Sequence, residues 1–209
     1  GIPPTDLEEP TPQAATGQAA LPPPVRRSLY LILCSVALWY MGYNAVTTAF
    51  TKYAQTVWGH GVSQASTCLL IATAGAVISY IPIGILASRI GRKKTVLMGV
   101  AILALCFAAG AIVASDFSPA LYGIFALVGF SWAAINVNSY PMVVEISRLG
   151  SVGKYTGYYY TFSMAAQIVT PIVSGALLEH VGYFTLFPYA ALCVALSFLT
   201  MLFTRHGDN

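Results

Sequence analysis

The sequence predicts an all-α integral membrane protein of six transmembrane helices, arranged as a three-plus-three inverted repeat. The composition is 57% hydrophobic and only 8% charged, with a mean hydropathy of +0.71. Soluble domains carry roughly 25% charged residues. Six apolar segments each reach the length of about 20 residues that a span requires. Polar side chains are concentrated in the first, second, fourth and fifth segments, which gives the order polar, polar, apolar twice and indicates the repeat.

A proline-rich segment precedes the six spans. Residues 1–27 hold seven of the twelve prolines together with scattered polar residues. Such a segment cannot bury enough apolar surface to fold alone, so we predict a flexible cytoplasmic linker or tail. The membrane bundle is predicted over residues 28–206 and a short C-terminal tail over 207–209. Its spans are Ser28–Phe50, Ser63–Ala87, Thr95–Ala114, Pro119–Ile146, Tyr155–Leu178 and Tyr183–Thr204.

The positions of Lys and Arg predict the orientation. Placing both termini in the cytoplasm puts all but one of the basic residues inside, and only Lys52 outside. Cytoplasmic loops of membrane proteins carry this excess of positive charge. We therefore expect a multi-pass protein of the cell membrane. The inside set is Arg26, Arg27, Arg89, Arg92, Lys93, Lys94, Arg148, Lys154 and Arg205.

Aromatic, amide and hydroxyl side chains recur at helical spacing on four spans. In lipid, polar groups without partners are costly, so these stripes must face a cavity or other helices. For a single Ser or Thr, hydrogen bonding between helices is the simpler interpretation. For the aromatic and amide residues together, we favour the lining of a solute pathway. The candidate solute-binding residues are Tyr40, Asn44, Trp132, Asn136, Tyr159 and Gln167.

The most basic stretch lies between the second and third spans. Two glycines seven residues apart allow close packing or unusual backbone angles where a helix ends. The cations can bind the carbonyls at a helix end or acidic groups. If this stretch only set the orientation of the protein in the membrane, it would need the positive charges but not the glycines. We predict a gating loop formed by Gly84, Ser88, Arg89, Gly91, Arg92 and Lys93, with Glu145 as its acidic partner.

The run from Gly84 to Lys93 resembles the signature loop of the major facilitator superfamily, Gly-x-Leu-Ala-Asp-Arg-x-Gly-Arg-Lys. Ser88 stands where that pattern has its aspartate, which puts a carboxylate-dependent gate in doubt. The resemblance implies that the chain is one six-helix half of a major facilitator fold. In that family the third and sixth helices of each half face lipid, and the other four line the central cavity.

Two later runs, Ala133–Ile146 and Gly153–Tyr160, resemble the glycoside–pentoside–hexuronide:cation symporters, in particular the bacterial branch related to solute carrier family 45 and the sucrose–proton symporters. This resemblance implies a secondary active transporter that moves a sugar or glycoside by alternating access, coupled to a cation, in particular a proton. The coupling carboxylates of that group lie mainly in the other half. For Glu145, an ion pair with Arg148 one turn on is the simpler role.

The sequence leaves two other classes of function open. A standalone six-helix protein would be a homodimeric transporter, a channel or a scaffold, although no charged ring or carbonyl filter is visible. An intramembrane protease is a remote third, because Ser131 and His180 are predicted near opposite ends of the bundle. We expect no enzyme activity, no cofactor, no metal site and no nucleic-acid partner. The expected partners are the solute and its cation, membrane lipid, and an N-terminal six-helix half or a second copy. The missing initiator methionine leads us to expect a fragment preceded by six further spans.

Overall fold

The computed structural model of the chain describes residues 21–148 and 150–207. Within these ranges the chain forms six long helices, each long and apolar enough to cross a membrane. The first continues into a π-helical turn, Ala54–Trp58, and a short 3-10 helix, Tyr183–Thr185, precedes the last. The helices are α1 (Pro23–Tyr53), α2 (Val62–Ile90), α3 (Arg92–Val113), α4 (Ala120–Ser147), α5 (Val152–His180) and α6 (Leu186–Leu202).

All six predicted spans are helical, and most helices extend beyond the predicted limits. The largest difference is at the start, where α1 begins at Pro23, five residues before the predicted span. Two prolines in its first positions suit a helix start, because the N–H groups that they lack have no intrahelical acceptor there. Residues 23–27 are therefore helix rather than flexible tail. Of the other predicted tail residues, Leu21, Pro22 and Gly207 are described, and Leu21 is only 2% exposed. Residues 1–20, 208 and 209 lie outside the described residues.

The packing of the helices confirms the three-plus-three repeat. α2 packs extensively on α4, and α5 packs on α1. α3 packs on α4, and α6 packs on α1, while α3 and α6 also contact each other. Exchanging the first three helices for the last three converts the α2–α4 pair into α5–α1 and the α3–α4 pair into α6–α1, and it leaves the α3–α6 pair unchanged. Internal three-helix repeats of this kind are the basis of many secondary transporters.

Small residues set the distance between the closest helices. A Cβ atom built on Gly129 of α4 would lie 2.1 Å from the Ala72 backbone oxygen of α2. On α3, a Cβ atom on Gly99 would lie 2.9 Å from the Ser131 backbone oxygen of α4. Glycine in membrane helices allows this close approach, which strengthens van der Waals packing where no hydrophobic effect drives association.

Large apolar side chains cover the outer faces of the helices. On α3, Leu105 and Ile112 are 70% and 80% exposed, and α6 presents Leu192, Leu199 and Phe203. Such side chains are compatible with lipid. α2 and α5 also expose apolar faces, and the α2 face includes the half-exposed Tyr80. The α2 and α5 faces flank the polar side of the bundle described below.

The two ends of the bundle differ in charge. The starts of α1, α3 and α5 and the ends of α2, α4 and α6 meet at one end, called the basic end here because it carries nine of the ten Lys and Arg residues. At the opposite end, the Ala114 carbonyl closing α3 accepts two hydrogen bonds, from the Tyr53 hydroxyl at 2.9 Å and the Trp58 indole N–H at 2.7 Å. These bonds hold the π-helical turn of α1 against α3.

Candidate solute-binding site

The centre of the site is an aromatic group between α1 and α4. The Tyr43 ring stacks on Trp132 with ring centroids 3.8 Å apart and an interplanar angle of 4°. Tyr40 meets the same indole edge-on, with centroids 5.1 Å apart. All three side chains are only partly buried. Since Tyr40 and Tyr43 lie one turn apart on α1, they enclose one indole from two directions.

Two amides extend this aromatic group. The Tyr40 hydroxyl donates to Asn136 Oδ1 at 3.3 Å, and Asn136 Nδ2 donates to the Trp132 carbonyl one turn earlier at 3.0 Å. On α1, Asn44 Nδ2 donates to the Tyr40 carbonyl at 2.9 Å. Each NH₂ group has two N–H bonds, so each amide keeps one donor for a further acceptor. Both amides are partly exposed. We call Tyr40, Tyr43, Asn44, Trp132 and Asn136 the aromatic–amide cluster.

A second group of tyrosines adjoins this cluster toward the basic end. The Tyr159 hydroxyl of α5 and Ser139 Oγ of α4 form a hydrogen bond of 3.0 Å. The Tyr140 ring lies 5.5 Å from Tyr159 and 6.0 Å from Tyr160, measured between centroids. Tyr159 itself is only 5% exposed, so it is an internal support between α4 and α5 rather than an open wall. Tyr140 is half-buried and Tyr160 is exposed.

Among the hydrogen bonds of the described residues, none joins Gln167 to the aromatic–amide cluster. The hydrogen bond between Ser139 and Tyr159 fixes the antiparallel register of α4 and α5. Counting along both helices at about 1.5 Å per residue puts Gln167 at nearly the depth of Trp132. Its side chain is exposed on α5.

The remaining polar stripe of α5 is mostly an internal contact. Ser163, Thr170 and Ser174 are buried, on the side of α5 that packs against α1. The Ser163 hydroxyl donates to the Tyr160 carbonyl at 3.0 Å. The Ser163 bond lies within α5, and Thr170 Oγ1 has no hydrogen-bond partner among the described residues, so hydrogen bonding between helices stays a prediction for this stripe.

The cluster contains no charged side chain. Among the described acidic residues, Asp116 follows α3, Glu145 lies in the last turn of α4 and Glu179 lies in the last turn of α5. Glu179 lies 4.0 Å from Lys52 at the opposite end, with both side chains exposed. The cluster therefore offers hydrogen bonds and ring faces, which suit a polar solute without requiring a net charge.

The predicted gating loop is a one-residue turn. α2 ends at Ile90, Gly91 adopts φ 94°, and α3 starts at Arg92. This positive φ favours glycine at that position. The expectation that Gly84 allows close packing or an unusual backbone angle is wrong, because Gly84 lies within α2 and a Cβ atom built on it would meet nothing within 4 Å. Instead, Gly84 lines a cleft of about 390 Å³, together with Ser88, Gly91, Arg92, Asn138 and Pro141. Its role in gating stays a prediction.

Two polar side chains of the loop, Ser88 and Lys93, have partners at very different distances along the chain. Ser88 Oγ donates to the Ile85 carbonyl at 2.6 Å. Lys93 Nζ donates to the Leu202 carbonyl at 3.2 Å and also to the Thr204 carbonyl, so it caps the end of α6. A cation at a helix C-terminus satisfies carbonyls that lack intrahelical donors.

The acidic partner predicted for the loop has a neighbour on its own helix. Glu145 Oε2 lies 3.4 Å from Arg148 Nη1, in the i, i+3 ion pair that the sequence suggested as the simpler role. Within the chain described here, Arg89 forms no ion pair with Glu145, and its side chain is exposed. The role of Glu145 in gating stays a prediction.

The family follows from comparison with known proteins. The family model described as Major Facilitator Superfamily matches residues 31–208, most of the chain. The chain belongs to the major facilitator superfamily. Proteins of this superfamily are transporters rather than enzymes. A search of curated proteins found no match.

Solved structures show the same fold. The human organic anion transporter MFSD10 (TETRAN) superimposes with a TM-score of 0.70 at 16% sequence identity. The match covers 89% of this chain and 49% of the MFSD10 chain, so this chain spans about half the length of that relative. At this identity the likeness is one of fold.

For this member of the major facilitator superfamily, the sequence predicted only part of the site. It selected Tyr40, Trp132 and Asn136, which are in contact, but not Tyr43, which stacks on Trp132. The signal was available, because Tyr43 follows Tyr40 by one turn on the same helix. The contact with Trp132 is nevertheless set by packing between α1 and α4, which spacing along one helix does not reveal.

Proposed function

We propose that this chain is one half of a secondary active transporter that carries a small polar solute, a sugar or glycoside, by alternating access. The observation that carries the proposal is the aromatic–amide cluster, which combines ring faces and amide groups without charge. Sugars bind through hydrogen bonds from their hydroxyl groups and through stacking of their C–H faces on aromatic rings.

The remainder of the transporter would be a second six-helix bundle, either an N-terminal half or another copy of this chain. The coverage of about half of MFSD10 supports this, as do the exposed faces of α2 and α5 beside the cluster. Rocking of two bundles around a solute held between them is the usual basis of alternating access. In this arrangement the cluster forms one wall of the pathway. The protein lies in the cell membrane, and its basic end faces the cytoplasm.

In this proposal, transport of the solute is coupled to a proton or another cation. The described acidic residues lie near helix ends and away from the cluster. A coupling carboxylate would therefore be contributed by the other bundle, as in the symporter group that the two later runs resemble. Collapse of the proton gradient with an ionophore would test this directly, since solute accumulation should then fall to equilibrium.

The substrate class is tested by uptake into proteoliposomes that contain the complete transporter. We expect uptake of labelled disaccharides or glycosides, with Tyr40→Phe raising the apparent KM because the hydroxyl that positions Asn136 is lost. Tyr30→Phe is the matched control: Tyr30 is 46% exposed and lies ten residues before Tyr40 on the same helix, about 15 Å along its axis and outside the cluster. Uptake of organic anions with no response to sugars, or equal effects of the two substitutions, would contradict the sugar assignment.

A further inference from the structure

A cleft at the basic end lies between the start of α1 and the segment that follows α6. It has a volume of about 370 Å³ and is lined by Pro23, Pro24, Arg27, Ser28, Phe203, Arg205 and His206. It is separate from the aromatic–amide cluster and from the loop between α2 and α3. Two arginines from distant parts of the sequence, Arg27 and Arg205, thus line one cleft together with the Phe203 ring.

The backbone around this cleft is held in place. Ser28 Oγ is 2.8 Å from His206 Nδ1 and accepts a hydrogen bond from the Arg205 backbone N–H at 3.2 Å. Ser28 is 3% exposed, so this bonding is internal. Gly207 packs on Ile146 of α4, which anchors the segment beyond the cleft. These contacts fix the backbone on both sides of the cleft, where Arg27 and Arg205 lie.

Among the described residues, neither cation pairs with a carboxylate. The ion pairs within residues 21–148 and 150–207 involve neither Arg27 nor Arg205. Both side chains are exposed. Guanidinium groups bind phosphate oxygens with two parallel N–H donors, which makes a phosphate group the matching ligand. A topology signal alone would not require two arginines to converge on one cleft.

The surface next to the cleft is apolar and runs toward the membrane interior. Phe203 and Leu199, one turn apart at the end of α6, are 65% and 51% exposed. Leu196 continues this line one turn further into the span. A ligand with a phosphate at the level of the helix ends and acyl chains along α6 would contact both parts. Basic pockets between helix ends are common binding sites for anionic lipid headgroups.

We propose that the cleft binds the phosphate group of an anionic membrane lipid, whose acyl chains lie along the outer face of α6. Arg27 and Arg205 would bind the phosphate oxygens, and Phe203 would contact the start of the acyl chains. The proposal is independent of the solute and of the coupling ion. Binding of lipid at this position would reinforce the hydrogen bonds that already join the segment after α6 to α1.

The test is a lipid titration of the full chain in detergent, followed by native mass spectrometry. Dioleoylphosphatidylglycerol should bind at least about tenfold more tightly than dioleoylphosphatidylcholine. The pair Arg27→Gln and Arg205→Gln should remove most of this difference. The matched control pair, Arg26→Gln and Lys154→Gln, removes the same charge from exposed positions outside the cleft, and should change the affinity less than twofold.

Three results would overturn the proposal: equal affinities for the two lipids, equal losses in the two variant pairs, or displacement of the lipid by millimolar inorganic phosphate, which would identify a free-phosphate site. Phe203→Ser provides a second check that leaves both arginines in place. It should weaken binding of the dioleoyl lipid but not of its dihexanoyl analogue. Circular dichroism shows whether the double glutamine variant folds. If it does not, Phe203→Ser still tests the proposal, because equally weakened binding of the dioleoyl and dihexanoyl lipids would exclude the acyl contact.

Discussion

The Tyr43 ring lies parallel to the indole of Trp132, 3.8 Å away, and joins α1 to α4 at the middle of the bundle. The same indole receives the edge of Tyr40. α1 and α4 are the equivalent first helices of the two three-helix repeats, so this contact joins one repeat to the other. A solute that binds there would contact both repeats at once.

The stack between Tyr43 and Trp132 should affect solute affinity. Tyr43→Ala should raise the apparent KM for uptake by roughly two- to tenfold, because an aromatic pair contributes about 0.5–1.5 kcal/mol beyond its buried area. Tyr43→Phe keeps the ring and should change the KM little. Uptake kinetics in proteoliposomes measure both. An effect of Tyr43→Phe as large as that of Tyr43→Ala would show that the hydroxyl, rather than the stack, matters.

Gly129 should be essential for the packing of α4 against α2. A methyl group at this position would overlap the Ala72 backbone oxygen, so Gly129→Ala should lower the thermal unfolding midpoint by roughly 5 °C or more. The control is Gly123→Ala on the same helix, where an added Cβ atom meets nothing within 4 Å. Tryptophan fluorescence of the detergent-solubilised protein would report both midpoints, and similar values for the two variants would refute the close contact.

The two glycines of the signature loop should respond differently to alanine. Gly91→Ala puts a side chain at φ 94° and ψ 154°, a region that only glycine adopts readily, and should cost about 1–3 kcal/mol of stability. Gly84→Ala falls within a helix in open space and should leave stability unchanged or slightly raised. Unfolding midpoints of the two variants check this. The opposite order would mean that the turn is not formed by Gly91.

The shared carbonyl of Ala114 should show coupling between its two donors. Tyr53→Phe and Trp58→Phe each leave one hydrogen bond in place, so each alone should cost about 1 kcal/mol. The double variant leaves a buried carbonyl without either donor and should cost more than the sum. A double-mutant cycle on unfolding free energies measures this excess. Strict additivity would argue against a common acceptor.

Sequence patterns predicted the helices because hydropathy and length alone determine which segments can span a membrane. The order of polar and apolar spans also predicted the repeat that the packing confirms. The site was only partly predictable. Tyr159 belongs to a polar stripe, yet its bond to Ser139 buries it between α4 and α5. Helical spacing shows which residues share a face, but not which neighbour that face meets.

Long-range partners were the least predictable feature. Lys93 belongs to a recognisable motif, yet the carbonyls that it binds lie at the end of α6, more than 100 residues later. The glycines show a similar limit. Gly91 and Gly84 are equivalent in a motif, but only the backbone angles distinguish a turn from a helical position.

The central claim is that the aromatic–amide cluster faces water and solute rather than lipid, and thiol labelling tests it most directly. In a background with Cys34, Cys68, Cys106 and Cys193 replaced by serine, Asn136→Cys would be treated with a membrane-impermeant maleimide. Leu105→Cys on the outer face of α3 is the lipid-facing control. We predict that the Asn136 position is labelled and that the transported solute protects it, whereas the Leu105 position is not labelled. The account would be contradicted if the Asn136 position is not labelled. It would also be contradicted if none of the disaccharides or glycosides tested reduces the labelling.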